Sequence, residues 1–260
     1  MKKTLLTCIS LLLTQYSFSQ NCALTNTAFQ KGEELKYAFS FKWGAMWLSA
    51  GEAKMSISEE PKDAHFCYHI VGIGNTYRSY DWFFKVRDDY ESYIDMYTLR
   101  PVRFIRDINE GGYDLKQNVH FDDKTTTATS TKRILSITDC THDVLSAVYY
   151  LRNYDMSHVQ PGQIIPLTVY IDDSLYNLTI EYVGKEVISN KFGTYNTLKL
   201  KPTTIKGTIF KDSDKMIVWV SDDANHIPIA ISSPILIGEL RADLINAKGL
   251  RYALNGTINE

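Results

Sequence analysis

Apolar and polar positions alternate strictly from residue 35 to residue 43. Leu35, Tyr37, Phe39, Phe41 and Trp43 take every second place, with Lys36, Ala38, Ser40 and Lys42 between them. A period of two sends successive side chains to opposite faces, so this run predicts a strand with one apolar and one wet face. After Gly44 the alternation resumes, with Ala53, Met55 and Ile57 set against Lys54, Ser56 and Ser58. Further strands are expected over 66–73, 86–94 and 102–109. Glu110-Gly111-Gly112 then supplies a tight turn, because glycine accepts the positive φ that hairpins demand. Tyr113, Leu115, Val119 and Phe121 continue beyond it, Asp122-Asp123-Lys124 turns again, and residues 125–133 return.

One helix interrupts this grammar. Residues 138–142 offer several capping side chains, and Val144, Leu145, Val148 and Leu151 then fall on one face, up to an end near 153–156. His158-Val159-Gln160-Pro161-Gly162 reads as a loop, and strands resume at Ile164, over 167–171, 178–182, 195–200, 216–220, 227–231 and 238–245. A short aromatic stretch, 80–84, predicts a helical turn. The expected fold is mostly β: a large curved antiparallel sheet or open β-barrel, with one main α-helix between two β-rich halves. Those halves span about 29–135 and 160–255, joined by the helix near 141–155. They share an echo: Asp95, Pro101, Val102, Phe104 and Gly111 recur at one constant offset as Asp222, Pro228, Ile229, Ile231 and Gly238. A duplication would produce this pattern, and so would hairpin grammar repeated independently, since proline can open a strand without losing a needed ladder bond.

The N-terminus adds a compartment. Lys2 and Lys3 precede an apolar stretch over 5–13, and the small polar segment 15–20 follows, which is the order of parts in a secretory signal peptide over residues 1–20. A membrane span needs roughly 20 consecutive apolar residues, and this run is about half that. The longest later candidate, 227–240, carries Pro228, Pro234, two serines and a glutamate, so the mature chain is expected to lack a transmembrane segment. What remains, 21–260, suits one β-rich domain. Charge is close to balanced, with 28 Lys+Arg against 30 Asp+Glu, and the basic excess of a nucleic-acid binder is missing. Export also bears on the cysteines that follow the signal segment, Cys22, Cys67 and Cys140. Cys22 and Cys140 lie in irregular stretches where bridge geometry is easier to meet, so they are the expected disulfide, with Cys67 free.

Candidate chemistry is sparse. His65, Cys67 and His69 would share one face of a strand, and they are zinc-type ligands. Alternate strand residues are spaced nearly 7 Å apart, however, which leaves the two histidines too distant for one ion. Thr141-His142-Asp143 reads as helix caps rather than a triad, because triads are assembled from distant positions. No nucleophile elbow, zinc-protease helix or phosphate-cradling glycine loop is present, so no cofactor and no catalytic residue is expected. Asp88, Asp89 and Glu91 stand among Lys85, Arg87 and Arg103 and read as ion pairs on a sheet face, while Asp222-Asp223-Ala224-Asn225 reads as a hairpin tip.

Aromatic residues are the better clue, with 17 Tyr, 11 Phe and 4 Trp. Trp43, Trp47, Tyr77, Tyr80, Trp82, Phe83 and Phe84 exceed what one packed face needs. Core packing is their default. If they line a concavity instead, Trp43, Trp47, Tyr80, Trp82, Phe83, Phe84 and Arg87 would bind an apolar ligand, with the 80–84 turn as a lid.

The motif Tyr80-Asp81-Trp82-Phe83-Phe84-Lys85-Val86-Arg87-Asp88 is followed by Tyr90-Glu91-Ser92-Tyr93-Ile94-Asp95 and Thr98-Leu99-Arg100-Pro101. Together with Glu110-Gly111-Gly112-Tyr113, Asp143-Val144-Leu145-Ser146-Ala147, the 29–32 segment and Ala50-Gly51-Glu52-Ala53, the chain resembles the exported bacterial family named domain of unknown function 3108. The resemblance covers essentially the whole mature chain and implies the periplasm or envelope of a Gram-negative bacterium, of the Bacteroidetes type. It brings no catalytic residues with it. The leading expectation is a non-enzymatic envelope protein that binds a lipid-like or other apolar ligand. The alternatives are a structural or assembly protein that binds another envelope protein, and a polymer hydrolase with two carboxylates across a cleft.

Overall fold

The computed structural model describes Cys22 and residues 24–82, 85–203, 215–235 and 238–258; the expected signal segment 1–20 and the pair Phe83 and Phe84 lie outside the described residues. Strands β1 (Glu34–Trp43), β2 (Met46–Lys62), β3 (His65–Thr76), β4 (Val86–Asp95), β5 (Pro101–Glu110), β6 (Tyr113–Asp122), β7 (Thr127–Thr129) and β8 (Ile134–Ser136) form one meander. After β9 (Thr141–His142) comes α1 (Val144–Arg152), and then β10 (Ile164–Ile171), β11 (Ser174–Asn190), β12 (Gly193–Pro202), β13 (Ile217–Ser221), β14 (Pro228–Pro234) and β15 (Glu239–Lys248) form the second meander. β16 (Gly256–Ile258) pairs with β12 off this path.

The strands make one 16-stranded curved, open sheet in which β1 lies beside β15, β8 is at one edge and β9 at the other. Every ladder is antiparallel except the short β9–β10 pairing. The chain therefore leaves one edge after β8, crosses the concave face with α1, and restarts at the opposite edge. Hairpin alternation sorts the turns into two ends. The turns after β1, β3, β5 and β14 share a tip end, since β15 pairs Glu239 with Lys42 beside the β1–β2 turn. The turns after β2, β4, β6 and β13 share the other end.

Helix α1 starts where it does because Asp143 completes a capping box. Its carboxylate accepts from the backbone N–H groups of Leu145 and Ser146, and its own N–H donates to Ser146 Oγ at 2.8 Å. Ser92 on β4 donates to the same carboxylate at 2.7 Å, tying the helix start to the sheet. The helix is then buried on two sides. Tyr149 packs with Phe29, Ile57, Ile70, Ile94 and Leu99 from the first half. Ala147 and Tyr150 pack with Ile165, Leu167, Ile180, Tyr182 and Leu198 from the second. A helix that is apolar on both flanks is what an interior position requires. Farther along, Tyr170 of β10 closes on Phe104, Val119 and Phe121 of β5 and β6, so the two halves also meet directly. Beneath that contact Arg106 and Gln117 reach Asp172 and Asp173 in the β10–β11 turn.

Three local features depart from the alternation. The return over 125–133 is shorter than expected, because Ser130 accepts the N–H groups of Lys132 and Arg133 and folds the chain into a turn after three paired residues. β2 runs on to Lys62 and turns through Asp63 and Ala64, both at positive φ and neither a glycine, so no turn signal marks its end. At Gly51, beside the bulge that follows Phe39 on β1, an added Cβ would overlap the Asn75 carbonyl oxygen of β3, so the site needs glycine. The turns after β4 and β13 are alike. Pro101 and Pro228 each open the following strand, and Leu99 and His226, two places earlier, both adopt positive φ.

Cys22 and Cys140 form a disulfide with Cα atoms 5.1 Å apart, joining the chain's first described segment to the crossover ahead of α1. Cys67 is free and fully buried, and burial together with the nearby Asp95 carboxylate pushes its thiol up to about 12. Peptide mapping without reductant should recover the Cys22–Cys140 pair linked. Iodoacetamide should label Cys67 only after denaturation, and rapid labelling of the native protein would contradict this packing.

Candidate functional site

Three segments converge at the end opposite the tips: the stretch before β1, the C-terminal end of α1, and the β13–β14 turn. Their anchor is Arg152, whose guanidinium bonds both carboxylate oxygens of Glu33, at 2.5 and 2.8 Å, in a pair that is essentially solvent-free. Arg152 Nε donates to the Asn225 carbonyl at 2.9 Å, and the guanidinium lies over the rings of Tyr149 and Phe29. Asn153 Oδ1 accepts the N–H groups of Thr27 and Ala28 at 2.7 and 3.0 Å. His226 Nδ1 lies 2.8 Å from the Arg152 carbonyl, which can only accept, so Nδ1 carries the proton. Asp223 caps the β13–β14 turn by accepting from Ser221 Oγ and from the N–H groups of Asn225 and Asn255.

These anchors border a cleft of about 570 Å³. Met156, Val159, Tyr182 and Leu198 supply apolar lining, while Asp155, Ser157, Lys185, Asp222 and His226 supply polar groups. Lys185 bridges Asp222 at 2.7 Å across the sheet, and hydrogen bonds from Ser157 hold the Asp155 carboxyl below the usual range. The volume falls within that of small-molecule sites, and the mixture of apolar walls with a few polar groups is what orients an amphipathic ligand. Ser157 Oγ donates to the Asp155 carboxylate at 2.5 Å, while His226 is oriented through Nδ1 by the Arg152 carbonyl. A second recess, lined by Arg100, Pro101, Phe121 and Thr138 among others, holds about 20 Å³, room for a single water.

Of the residues expected to bind ligand, those the structure describes lie elsewhere, at the tip end. Trp47 is on the exposed start of β2, and Trp43 is on β1, where its backbone alone is described. Tyr80 closes a 3-10 turn (Arg78–Tyr80), and Trp82 follows it, 85% exposed. Arg87 bonds both oxygens of Asp81 and the Thr76 carbonyl, so it secures this loop. Trp47, Tyr80, Trp82 and Arg87 are not among the residues that line the cleft.

The zinc-like trio is dispersed as well. Cys67 is buried with Tyr93 and Val102, His65 bonds Asp95 at 2.8 Å, and His69 lies between Glu60 and Glu91 at 2.8 and 2.9 Å, stacked on Tyr93. The ion-pair reading fails for Asp88. It shares the concave face of β4 with Ser92, and burial followed by the neighbouring Glu110 carboxyl pushes its own carboxyl well above the usual range. Arg87 and Arg103, expected to neutralise it, bond Asp81 and Asp63 instead.

Over residues 36–245 the chain matches the family described as "Protein of unknown function (DUF3108)". No curated protein matches it. Among solved structures, a β-barrel-like protein of domain of unknown function DUF1849 from Brucella abortus is similar at a TM-score of 0.56 and 10% identity, covering 87% of this chain and 100% of that one. A DUF1089 family protein from Pseudomonas aeruginosa gives 0.37 at 10% identity, over 75% and 95% of the two chains. A protein with a YmcC-like fold from Bacteroides fragilis gives 0.34 at 12% identity, over 87% and 100%. The first of these bears on the fold, and it agrees with a barrel-like curved sheet.

Proposed function

We propose a role for this chain from one premise: it belongs to the DUF3108 family of proteins of unknown function. The role is that of an exported, non-enzymatic binding protein of the cell envelope. Its ligand has an apolar body and a polar end and sits in the cleft at the helix end. The observation that carries this reading is the cleft itself, about 570 Å³, whose lining combines apolar Met156, Val159, Tyr182 and Leu198 with polar Lys185, Asp222 and His226. The interior between the two halves is filled by α1 and its aromatic neighbours, so the ligand has no deep calyx and binds at the open end. A lipid-like molecule would place its chain on the apolar wall and its head among the charged groups.

Native mass spectrometry of the protein purified from its own host tests this. The expected result is a reproducible adduct that disappears on denaturation and is lost in Met156→Trp, which fills the cleft from its partly exposed wall. A clean apo mass, or an adduct of unchanged occupancy in the variant, would sink the proposal.

A further inference from the structure

Strand β6 is covered on one side only along most of its length. On one flank β5 pairs with it from Tyr113 to His120, while on the other β7 takes only His120, Phe121 and Asp122. The stretch 113–119 therefore has no second ladder among the described residues. Which backbone groups are left over follows from the turn. Gly111 and Gly112 both have positive φ, and the two-residue loop they form closes on Glu110 and Tyr113, the pair that exchanges backbone bonds. Asn109 agrees with this, because its N–H points the other way, to Asp88 on β4 at 3.1 Å. Alternation then turns the bonds of Tyr113, Leu115 and Gln117 toward β5, and the N–H and C=O groups of Asp114, Lys116 and Asn118 outward. All three outward residues are exposed.

A free edge of this kind accepts another strand, and its side chains say which one. Asp114 accepts a hydrogen bond from Asn109 and forms no ion pair among the described residues, whereas Lys116 bridges Asp107 of β5 at 2.6 Å. Laid antiparallel to itself about a two-fold axis at Leu115, the segment sets Asp114 opposite Lys116 of the second copy, and Lys116 opposite its Asp114. The outward groups of these two pairs can then exchange four backbone bonds. On the convex face Lys116 stands between Asp107 of its own chain and Asp114 of the other, whose cross-strand neighbours are Asn109 and Arg87. On the concave face Ile108 and Leu115 meet the same two residues of the second copy, which carries an apolar row across the joint. Other registers fail. An axis at Asp114 or Lys116 sets like charges opposite each other. An axis at Gln117 brings Asp114 to His120, where β7 already occupies the edge.

We propose that this chain associates with a second copy of itself through the free edge of β6, joining two curved sheets into one about a two-fold axis at Leu115. The interface is isologous, so each copy gives and receives the same pair of contacts. It is also small, which makes the dimer a weak, reversible one. The edge lies beside the β5–β6 turn at the tip end, away from the cleft, so the inference stands whether or not the cleft binds a ligand.

Sedimentation equilibrium of the full chain tests this. A dimer is expected at about 100 µM, mostly dissociated at about 1 µM, and weakened by salt. Asp114→Lys alone, or Lys116→Asp alone, sets like charges opposite each other twice and should weaken the dimer by about tenfold. Asp114→Lys combined with Lys116→Asp restores opposite charges and should bring association back, which separates a broken interface from a misfolded strand. A second measurement uses Leu115→Cys. Residues on the axis face each other at about 4.5 Å between Cα atoms, so mild oxidation should yield a disulfide-linked dimer, and Asn118→Cys should not. A monomer at every concentration, whether the edge stays empty or takes a strand from another protein, would overturn the proposal. So would a dimer indifferent to the single reversals, a folded double reversal that stays monomeric, or Leu115→Cys without a cross-link.

Discussion

Replacing Glu33 with alanine should destabilise the protein by about 3–5 kcal/mol, the cost of leaving a buried charge without its partner. The expectation rests on how completely the pair is enclosed. The Arg152 side chain is 2% exposed and that of Glu33 is 1% exposed, and the rest of the guanidinium's surroundings are the Tyr149 and Phe29 rings and the Asn225 carbonyl. None of these can neutralise a full positive charge. Glu33→Gln keeps the shape and loses the charge, so it should fall between wild type and alanine. Glu33→Leu combined with Arg152→Met removes both charges and should recover much of the loss, since a buried pair is often no more stabilising than apolar residues of similar volume. Urea unfolding of these proteins, and of Glu33→Leu and Arg152→Met singly, measures this. Strictly additive losses would show that the two side chains contribute separately and that the pair is not the unit.

Acidification should weaken the fold through His142. The ring is fully buried against Tyr150, 4.4 Å between centroids, and neither ring nitrogen has a hydrogen-bond partner among the described residues. Burial, and then the charge of Arg100, lower its pKa from 6.5 to about 3. The folded state therefore holds this histidine neutral where the unfolded state would protonate it. Its contribution is intact above pH 6.5 and is lost progressively as the pH falls from 6.5 toward 3, by about 4–5 kcal/mol in total at ~1.4 kcal/mol per pH unit. Carboxylates add their own acid sensitivity, so the informative comparison is with His142→Phe, which keeps a planar ring and cannot take the proton. Unfolding free energies measured from pH 7 to pH 4 should converge on those of the variant near neutrality and diverge below it, wild type falling faster. Parallel curves would show that His142 is solvated after all.

Much of the architecture is legible in the chain. Strict alternation from Leu35 to Trp43 marks β1, and the capping side chains at Thr141-His142-Asp143 followed by a one-faced apolar pattern mark the helix start, because both signals are local. The turn at Asp63 and Ala64 is not legible, since positive φ there is imposed by the hairpin and not offered by glycine. Asp88 is misread for a related reason. Alternation separates two faces of a strand, but only the Ser92–Asp143 bond reveals which face is concave. The cleft is hidden more deeply, because Asp155, Lys185 and His226 come from three separate segments and no local pattern links them. The aromatic surplus was visible as a group, yet its place at the hairpin tips follows from where each turn falls in the meander.

The placement of β1 beside β15 also constrains how the chain reaches this state. Glu34 pairs with Lys248, so the ladder in the middle of the sheet joins segments from near opposite ends of the polypeptide. As the chain emerges, the first meander can zip up hairpin by hairpin through short loops, but the second flank of β1 stays unsatisfied until β15 arrives. Closing so distant a contact is slow compared with forming neighbouring hairpins. During that interval β1 is an open edge bearing Tyr37, Phe39 and Phe41, a template for the wrong strand as readily as for the right one. Lys36 and Lys42 interrupt that edge with charge, and they act as gatekeepers during assembly whatever they do in the finished molecule.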